Sequence, residues 1–366
     1  MTPDQKIQPD GTLKPSRRRT LGWLAAIGLS GAAIGRLWPG NTNRYYSGPV
    51  SDHFDGVRFF NPSGTKPKGI SELLKWQFAS PSEKWPDAFP SPFVDRPPPT
   101  IDGLGVRISF IGHASFLIQG AGHAILIDPV YGQRASPVSF AGPRRANAPG
   151  VPFDALPKID TVIVTHNHYD HMDMDTLARL HARDQPHFVT PPGNDTILRA
   201  GIGGINVSPL DWHQSLLPVG GLIVEAVPTQ HWSARGLNDR LHALWASFVI
   251  KIAGRTIYAV GDSGFGDGAT FRAIAARYPG IDVALLPIGA YEPRWFMRDQ
   301  HMNPDDAVQA LKLCGAKAAL GHHWGTFKLT NEGIEQPREA LSAALAAQRL
   351  PNDRFLALRP GEVHVI

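Results

Sequence analysis

From residue 103 onward, apolar and polar positions alternate in short runs separated by turns rich in glycine and proline. VRISFIG (106–112), SFLIQ (115–119) and AILID (124–128) read as successive hairpin strands of one sheet. DTVIVT (160–165) has the unbroken apolar character of a short buried strand. HFVTP, INVSPL, LIVEAVP, ASFVIKI, TIYAVGD and VALLPIG repeat that character between residues 187 and 289. Elsewhere the spacing changes to three and four. Residues 172–184 place Met174, Leu177 and Leu180 on one helical face, and 268–278, 304–314 and 338–350 are further helices. Asn303 suits the N-cap of the third, because Pro304, Asp305 and Asp306 fit a first turn. Groups of strands followed by helices predict two sheets with helices on their outer faces.

The first hundred residues follow a different pattern. Lys14 and Arg17 to Arg19 precede an apolar run from Leu21 to Ile34. At about fourteen residues this run is short of the ~20 needed to span a bilayer and matches the core of a signal peptide. SRRRTL has the pattern of a twin-arginine signal. Residues 1–35 are therefore expected to be a signal peptide or membrane anchor. The protein body would then be periplasmic, or anchored to the inner membrane and facing the periplasm. Residues 36–100 carry Tyr45, Tyr46, Phe59, Phe60, Trp76, Trp85 and Phe89 among prolines, which break helices and favour an extended chain. This segment reads as an arm that wraps the domain, with one short helix over 70–78. The alternative is a lip that touches lipid or a partner chain. Residues 101–366 form the main domain.

Composition narrows the chemistry. The chain is 42% hydrophobic and 19% charged, which excludes a disordered polymer. Its one cysteine, Cys314, excludes an internal disulfide and a thiolate metal site, so any metal must be held by histidine and carboxylate. The net charge is +4, but residues 1–35 account for three of those charges through Lys6, Lys14, Arg17, Arg18 and Arg19 against Asp4 and Asp10. A nearly neutral body excludes a general nucleic-acid binder, which needs a basic stripe.

The candidate chemistry sits where strands end. THNHYDHMD places His166, His168, Asp170 and His171 directly after a buried strand. So many polar side chains delivered to one sheet end need partners, and a divalent ion satisfies them. His166 and His168 point the same way on an extended loop. Asp170 and His171 begin the turn into the helix and are placed for a second ion. His231, Asp262, His322 and His323 follow other strands, and Asp262, flanked by glycines, can bridge two cations with its two oxygens.

The sequence resembles the metallo-β-lactamase superfamily, whose HxHxDH motif is matched by His166, His168, Asp170 and His171. Within it, the chain is similar to the branch of N-acyl-phosphatidylethanolamine-hydrolysing phospholipases D. The similarity lies in GHAS (112–115), DPVYGQRASP (128–137), GPRR (142–145), TQHWSARG (229–236), GDSGF, IGAYEPRWFM (288–297) and HHWGTF (322–327). It covers roughly residues 100–366.

The resemblance implies an α+β fold, the four-layer αββα sandwich, with two Zn²⁺ at the sheet edge. It implies His166, His168 and His231 on one ion, Asp170, His171 and His323 on the other, and Asp262 between them. Asp128 is expected to orient a ligand histidine. His301 is expected to contact a phosphate or leaving group, Arg144 and Arg145 to hold phosphate oxygens or a lipid head group, and Tyr291, Trp295 and Phe296 to line a lipid groove. A shared, activated water attacking phosphorus would make the protein a phospholipase D-type phosphodiesterase. Its expected substrate is N-acyl-phosphatidylethanolamine or a related phospholipid, met at a membrane surface, and the family's frequent dimers imply a homodimer. A lactonase or esterase on the same scaffold, or a non-hydrolytic metal-binding envelope protein, are the competing readings.

Overall fold

The computed structural model describes residues 42–366, Leu237 excepted. The expected signal or anchor over residues 1–35 lies outside the described residues. A first helix, α1 (Ile70–Ala79), belongs to the arm. The domain then opens with β1 (Val106–Gly112), β2 (Ser115–Gly120) and β3 (His123–Ile127), an antiparallel meander. β4 (Thr161–Ile163), β5 (His187–Thr190) and β6 (Val207–Pro209) extend it in parallel, linked through α2 (Met174–Asp184) and α3 (Asn194–Gly201).

A second sheet starts with the antiparallel β7 (Ser215–Leu216), β8 (Ile223–Val227), β9 (Ser247–Ile252) and β10 (Arg255–Ala259). β11 (Val283–Pro287), β12 (Ala318–His322) and β13 (Phe355–Leu356) continue in parallel. Between them run α4 (Ala269–Arg277), the short α5 (Arg294–Met297), α6 (Pro304–Cys314) and α7 (Gln336–Ala347). The final strand, β14 (Val363–Val365), returns to pair with β1 and closes the first sheet's edge.

The period-two pattern decides the layers. Ile108, Phe110, Phe116, Ile118, Ile125 and Ile127 of the first sheet meet Val224, Phe248, Ile250, Ile257 and Leu285 of the second in one buried cluster. The intervening Leu117, Leu126 and Val162 face outward, under Leu177 and Leu180 of α2 and Leu198 of α3. Tyr258, Ala284 and Leu286 do the same beneath Phe271, Leu311 and Leu341 of the later helices. The molecule is thus the expected αββα sandwich, a metallo-β-lactamase fold. α6 covers the expected span, with the Asn303 side chain accepting from the Asp306 amide and Asp306 answering the Asn303 amide. α3, only eight residues long, and the C-terminal strand were not expected.

The arm wraps the sandwich. Phe54 and Phe59 are buried against Leu244 and Trp245. The indole N–H groups of Trp76 and Trp85 donate to Asn331 Oδ1 and the Glu332 carbonyl, and Asp95 pairs with Arg107 on β1. No helix among the described residues is long and apolar enough to cross a membrane.

Candidate metal centre

Each site residue sits just beyond the carboxyl end of a strand, where an open sheet leaves a crevice. β1 delivers His113, β3 Asp128, β4 the 166–171 loop, β8 His231, β10 Asp262 and β12 His323. His113, Asp128 and His323 all have positive φ (56°, 41° and 66°), a region that non-glycine residues rarely occupy. Strain concentrated on three neighbouring side chains is a mark of a functional cluster. Gly261, also at positive φ, is required where it stands, because a Cβ there would lie 2.9 Å from the Thr165 side chain.

Hydrogen bonds fix which nitrogen each ring presents. Asp128 accepts the Thr165 amide and hydroxyl, each at 2.7 Å, and His171 Nδ1–H at 2.7 Å. With its proton on Asp128, the Thr165 hydroxyl accepts from His166 Nδ1–H at 3.0 Å. His231 Nδ1–H donates to the Gln300 carbonyl at 3.0 Å. The Nε2 atoms of His166, His171 and His231 are therefore all turned inward.

They converge in two groups. His166 Nε2 lies 2.9 Å from His168 Nδ1, which lies 3.3 Å from His231 Nε2. Asp262 Oδ2 stands 3.8 Å from His166 Nε2 and 3.5 Å from His231 Nε2. The second group holds Asp170, His171 and His323, with His323 Nε2 3.2 Å from Asp170 Oδ2 and 3.2 Å from Asp262 Oδ1. Asp262 Oδ2 is also 3.3 Å from His171 Nε2, so one carboxylate faces both groups. His113 Nε2 braces Asp170 at 2.9 Å while its carbonyl accepts the His323 amide.

The electrostatics suit cations. Burial pushes His166 and His231 well below the usual histidine range and His168 to about 4, keeping their lone pairs free at neutral pH. Burial opposes ionisation of Asp170 and Asp262, but the surrounding imidazoles outweigh it and hold both carboxyls well below their ordinary value. His171 Nε2, His323 Nε2 and Asp262 Oδ1 are buried without a hydrogen-bond partner. Burial opposes charge on His171 and His323, but Asp262 and Asp170 outweigh it and raise both, His323 to about 9, so these two rings carry charge that a bound cation would displace. Imidazole nitrogens gathered beside buried carboxylates fit divalent ions held by nitrogen and oxygen. Such ions would sit between His166, His168, His231 and Asp262, and between Asp170, His171, His323 and Asp262.

The site opens into a cleft of about 410 Å³. His301 lines it, with Nδ1 3.9 Å from Asp262 Oδ2 and burial pushing its pKa down to about 4. Leu73 and Trp76 of the arm, with Trp232, Phe296, Met297 and Leu329, give the cleft an apolar wall.

Other expectations land elsewhere. His322 stays within β12 and turns its ring edge-on to Phe116. Arg145 is buried away from the cleft, its guanidinium donating to the Val130 and Gly132 carbonyls and lying over Phe327, while Arg144 is exposed in an isolated bridge with Arg134. Neither lines the cleft: Arg145 spends Nε and Nη2 on carbonyls of its own loop, and Arg144 faces solvent. Trp295 faces solvent beneath Lys75, and it is Phe296 and Met297 from the same short helix that reach the cleft. Tyr291 is buried outside the cleft wall, beside Glu332. Trp232, Leu73 and Trp76 were missed. An aromatic after a ligand histidine was the one signal for Trp232, and nothing local marks the other two.

Residues 123–324 match the β-lactamase superfamily domain. The chain is 37% identical over 269 residues to the N-acyl-phosphatidylethanolamine-hydrolyzing phospholipase D 1 of Caenorhabditis elegans, covering 71% of this chain and 75% of that protein. It is 30% identical over 269 residues to a UPF0173 metal-dependent hydrolase of Thermococcus kodakarensis, covering 70% and 98%. Among solved structures, Igni18, a metallo hydrolase from Ignicoccus hospitalis, superposes with a TM-score of 0.54 at 20% identity, covering 72% of this chain and 98% of that one.

Proposed function

The chain belongs to the metallo-β-lactamase superfamily as a metal-dependent hydrolase, and from that premise we propose that it is a di-zinc phosphodiesterase of phospholipase D type. Its substrate is N-acyl-phosphatidylethanolamine or a related lipid. The observation that carries this reading is that Asp262 faces both ligand groups, 3.5 Å from His231 Nε2 and 3.2 Å from His323 Nε2, on a cleft walled by Leu73, Trp76, Phe296 and Met297. That combination suits a charged ester attached to an apolar chain. The similarity to the nematode phospholipase supports the same substrate class.

Metal held by His166, His168, His231, Asp170, His171, His323 and Asp262 would supply an activated water and neutralise charge on the phosphate. The chain's own residues do the rest. Asp128 and Thr165 hold His171 and His166 in the tautomers that present Nε2. His113 fixes Asp170. His301, neutral at pH 7 and with a free Nδ1, is placed to hydrogen-bond a phosphate oxygen or the leaving alkoxide. The apolar wall excludes bulk water from the acyl chains. Leu74 and Phe78, exposed on α1, support action at a membrane surface, in keeping with export on a twin-arginine signal.

The test supplies the metal-loaded protein with N-acyl-phosphatidylethanolamine and, separately, with an acyl lactone, and weighs the products by mass spectrometry. Phosphatidic acid with free N-acylethanolamine is the expected result. Opening of the lactone with the phospholipid intact would favour a lactonase instead.

A further inference from the structure

Two side chains of fixed positive charge, Lys68 and Arg240, line the cleft. Lys68 is neutralised, its Nζ lying 2.7 Å from Asp299 Oδ2. Arg240 has no carboxylate within ion-pair distance among the described residues. Its half-buried guanidinium lies 4.7 Å from the centre of the Trp232 ring. Nη2 donates to the Lys68 carbonyl at 2.7 Å, which orients the fork, and no other hydrogen bond among the described residues engages Nε or Nη1. Burial alone moves its pKa, downward, with no acid opposing it. Arg235 makes the contrast: its guanidinium is spent on the Asn167 and Met172 carbonyls.

The location gives the free cation its meaning. Trp232 follows His231 in the chain, and its ring lies 4.7 Å from that of His168. Arg240 is therefore one indole away from the ligand histidines. A partly desolvated cation without a counter-ion is unfavourable until an anion arrives. A guanidinium stacked on an aromatic ring, with donors left over, has the form suited to phosphate or carboxylate oxygens. Nothing in the local sequence, LNDRLH, separates this arginine from an ordinary surface one.

We propose that Arg240 binds an anionic oxygen of the substrate's phosphate on the cleft wall, and so selects charged phosphodiesters over neutral esters and lactones. The proposal deepens the phosphodiesterase reading and rests on it for the identity of the anion. The arm enters the same recognition, since the Lys68 carbonyl holds the guanidinium in place.

The experiment compares full-length, metal-loaded wild type with Arg240→Gln and Arg240→Lys. Inorganic phosphate and a short-chain phosphatidic acid are titrated by calorimetry and by tryptophan fluorescence, and turnover is measured on a phosphodiester and on a neutral aryl ester. In Arg240→Gln, phosphate affinity is expected to fall about tenfold, as is usual when a charge-assisted hydrogen bond is lost. The loss of kcat/KM on the phosphodiester should exceed that on the neutral ester by a similar factor, mainly through KM. Arg240→Lys should recover part of it, with metal content and melting temperature at the wild-type level. Unchanged phosphate affinity in Arg240→Gln, or equal losses on both substrates, would overturn the proposal and reduce Arg240 to a prop for Trp232. Should the wild type cleave no phosphodiester while Arg240→Gln still loses phosphate affinity, the anion site stands and the phosphodiesterase reading falls.

Discussion

At Asp262, Oδ2 faces His166, His171 and His231 while Oδ1 faces His323. Asparagine keeps the shape there and removes the charge that both groups share. Asp262→Asn is expected to retain the folded circular-dichroism spectrum yet lose bound metal and at least about a hundredfold in turnover, since it removes a charge from the reacting centre itself. Full metal content and activity in that variant would contradict the bridging arrangement. Asp128 acts at one remove, collecting three hydrogen bonds from Thr165 and His171. Asp128→Asn turns an acceptor oxygen into a donor against those groups. Competition with a chelator should show metal affinity reduced ~10–100-fold, the range typical of a residue that orients a metal-binding histidine.

Among the elements, the arm departs furthest from a passive wrapping. Its His53 ring hydrogen-bonds Asp211 at 2.8 Å and Asp52 at 2.6 Å and stacks on Trp212. Burial works against charge on that ring, but the two carboxylates outweigh it and raise its pKa. The clip therefore contributes in full below the unfolded-state value near ~6.5 and fades as pH rises through the higher folded value. The melting-temperature gap between wild type and His53→Gln should be wider at pH 5.5 than at pH 8.5; a gap independent of pH would contradict the ion pair. α1 acts differently, by placing Trp76 against Phe296 at 4.9 Å on the cleft wall. Trp76→Ala should raise KM roughly tenfold for a long-chain lipid, about 1.4 kcal/mol of lost apolar contact, and leave a short soluble phosphodiester much less affected.

At the scale of the whole molecule, both sheets end at the same candidate metal centre. The first brings His113, Asp128 and the 166–171 loop; the second brings His231, Asp262 and His323. Metal bound there would tie the two halves of the sandwich together, and binding to the folded state alone would add to stability. Dialysis against a chelator should abolish turnover and lower the melting temperature by roughly 5–10 °C, with both restored by Zn²⁺. A melting curve and activity indifferent to the chelator would argue against metal at this site.

Much of this was determined by sequence alone. Period-two runs such as VRISFIG and SFLIQ set which side chains face between the sheets, because successive residues of a strand must point to opposite faces. THNHYDH marked the metal chemistry, because histidines and an aspartate so close together at a strand end need a shared partner. The neighbouring motifs supplied the remaining candidate ligands through resemblance. What tertiary structure alone decided were relations between residues far apart in the chain. The resemblance already pointed to His323 over His322; what the fold adds is the backbone turn at the end of β12, at φ 66°, that carries its ring to the centre. Arg145 was expected to hold phosphate, and its burial against carbonyls of its own loop depends on how residues 130–145 close. Arg240, Leu73 and Trp76 carry no local signal, since the cleft wall forms only where the arm meets the connection between β8 and β9. Local pattern records the direction of a side chain along its own element, whereas a cleft is made by which elements the packed core brings side by side.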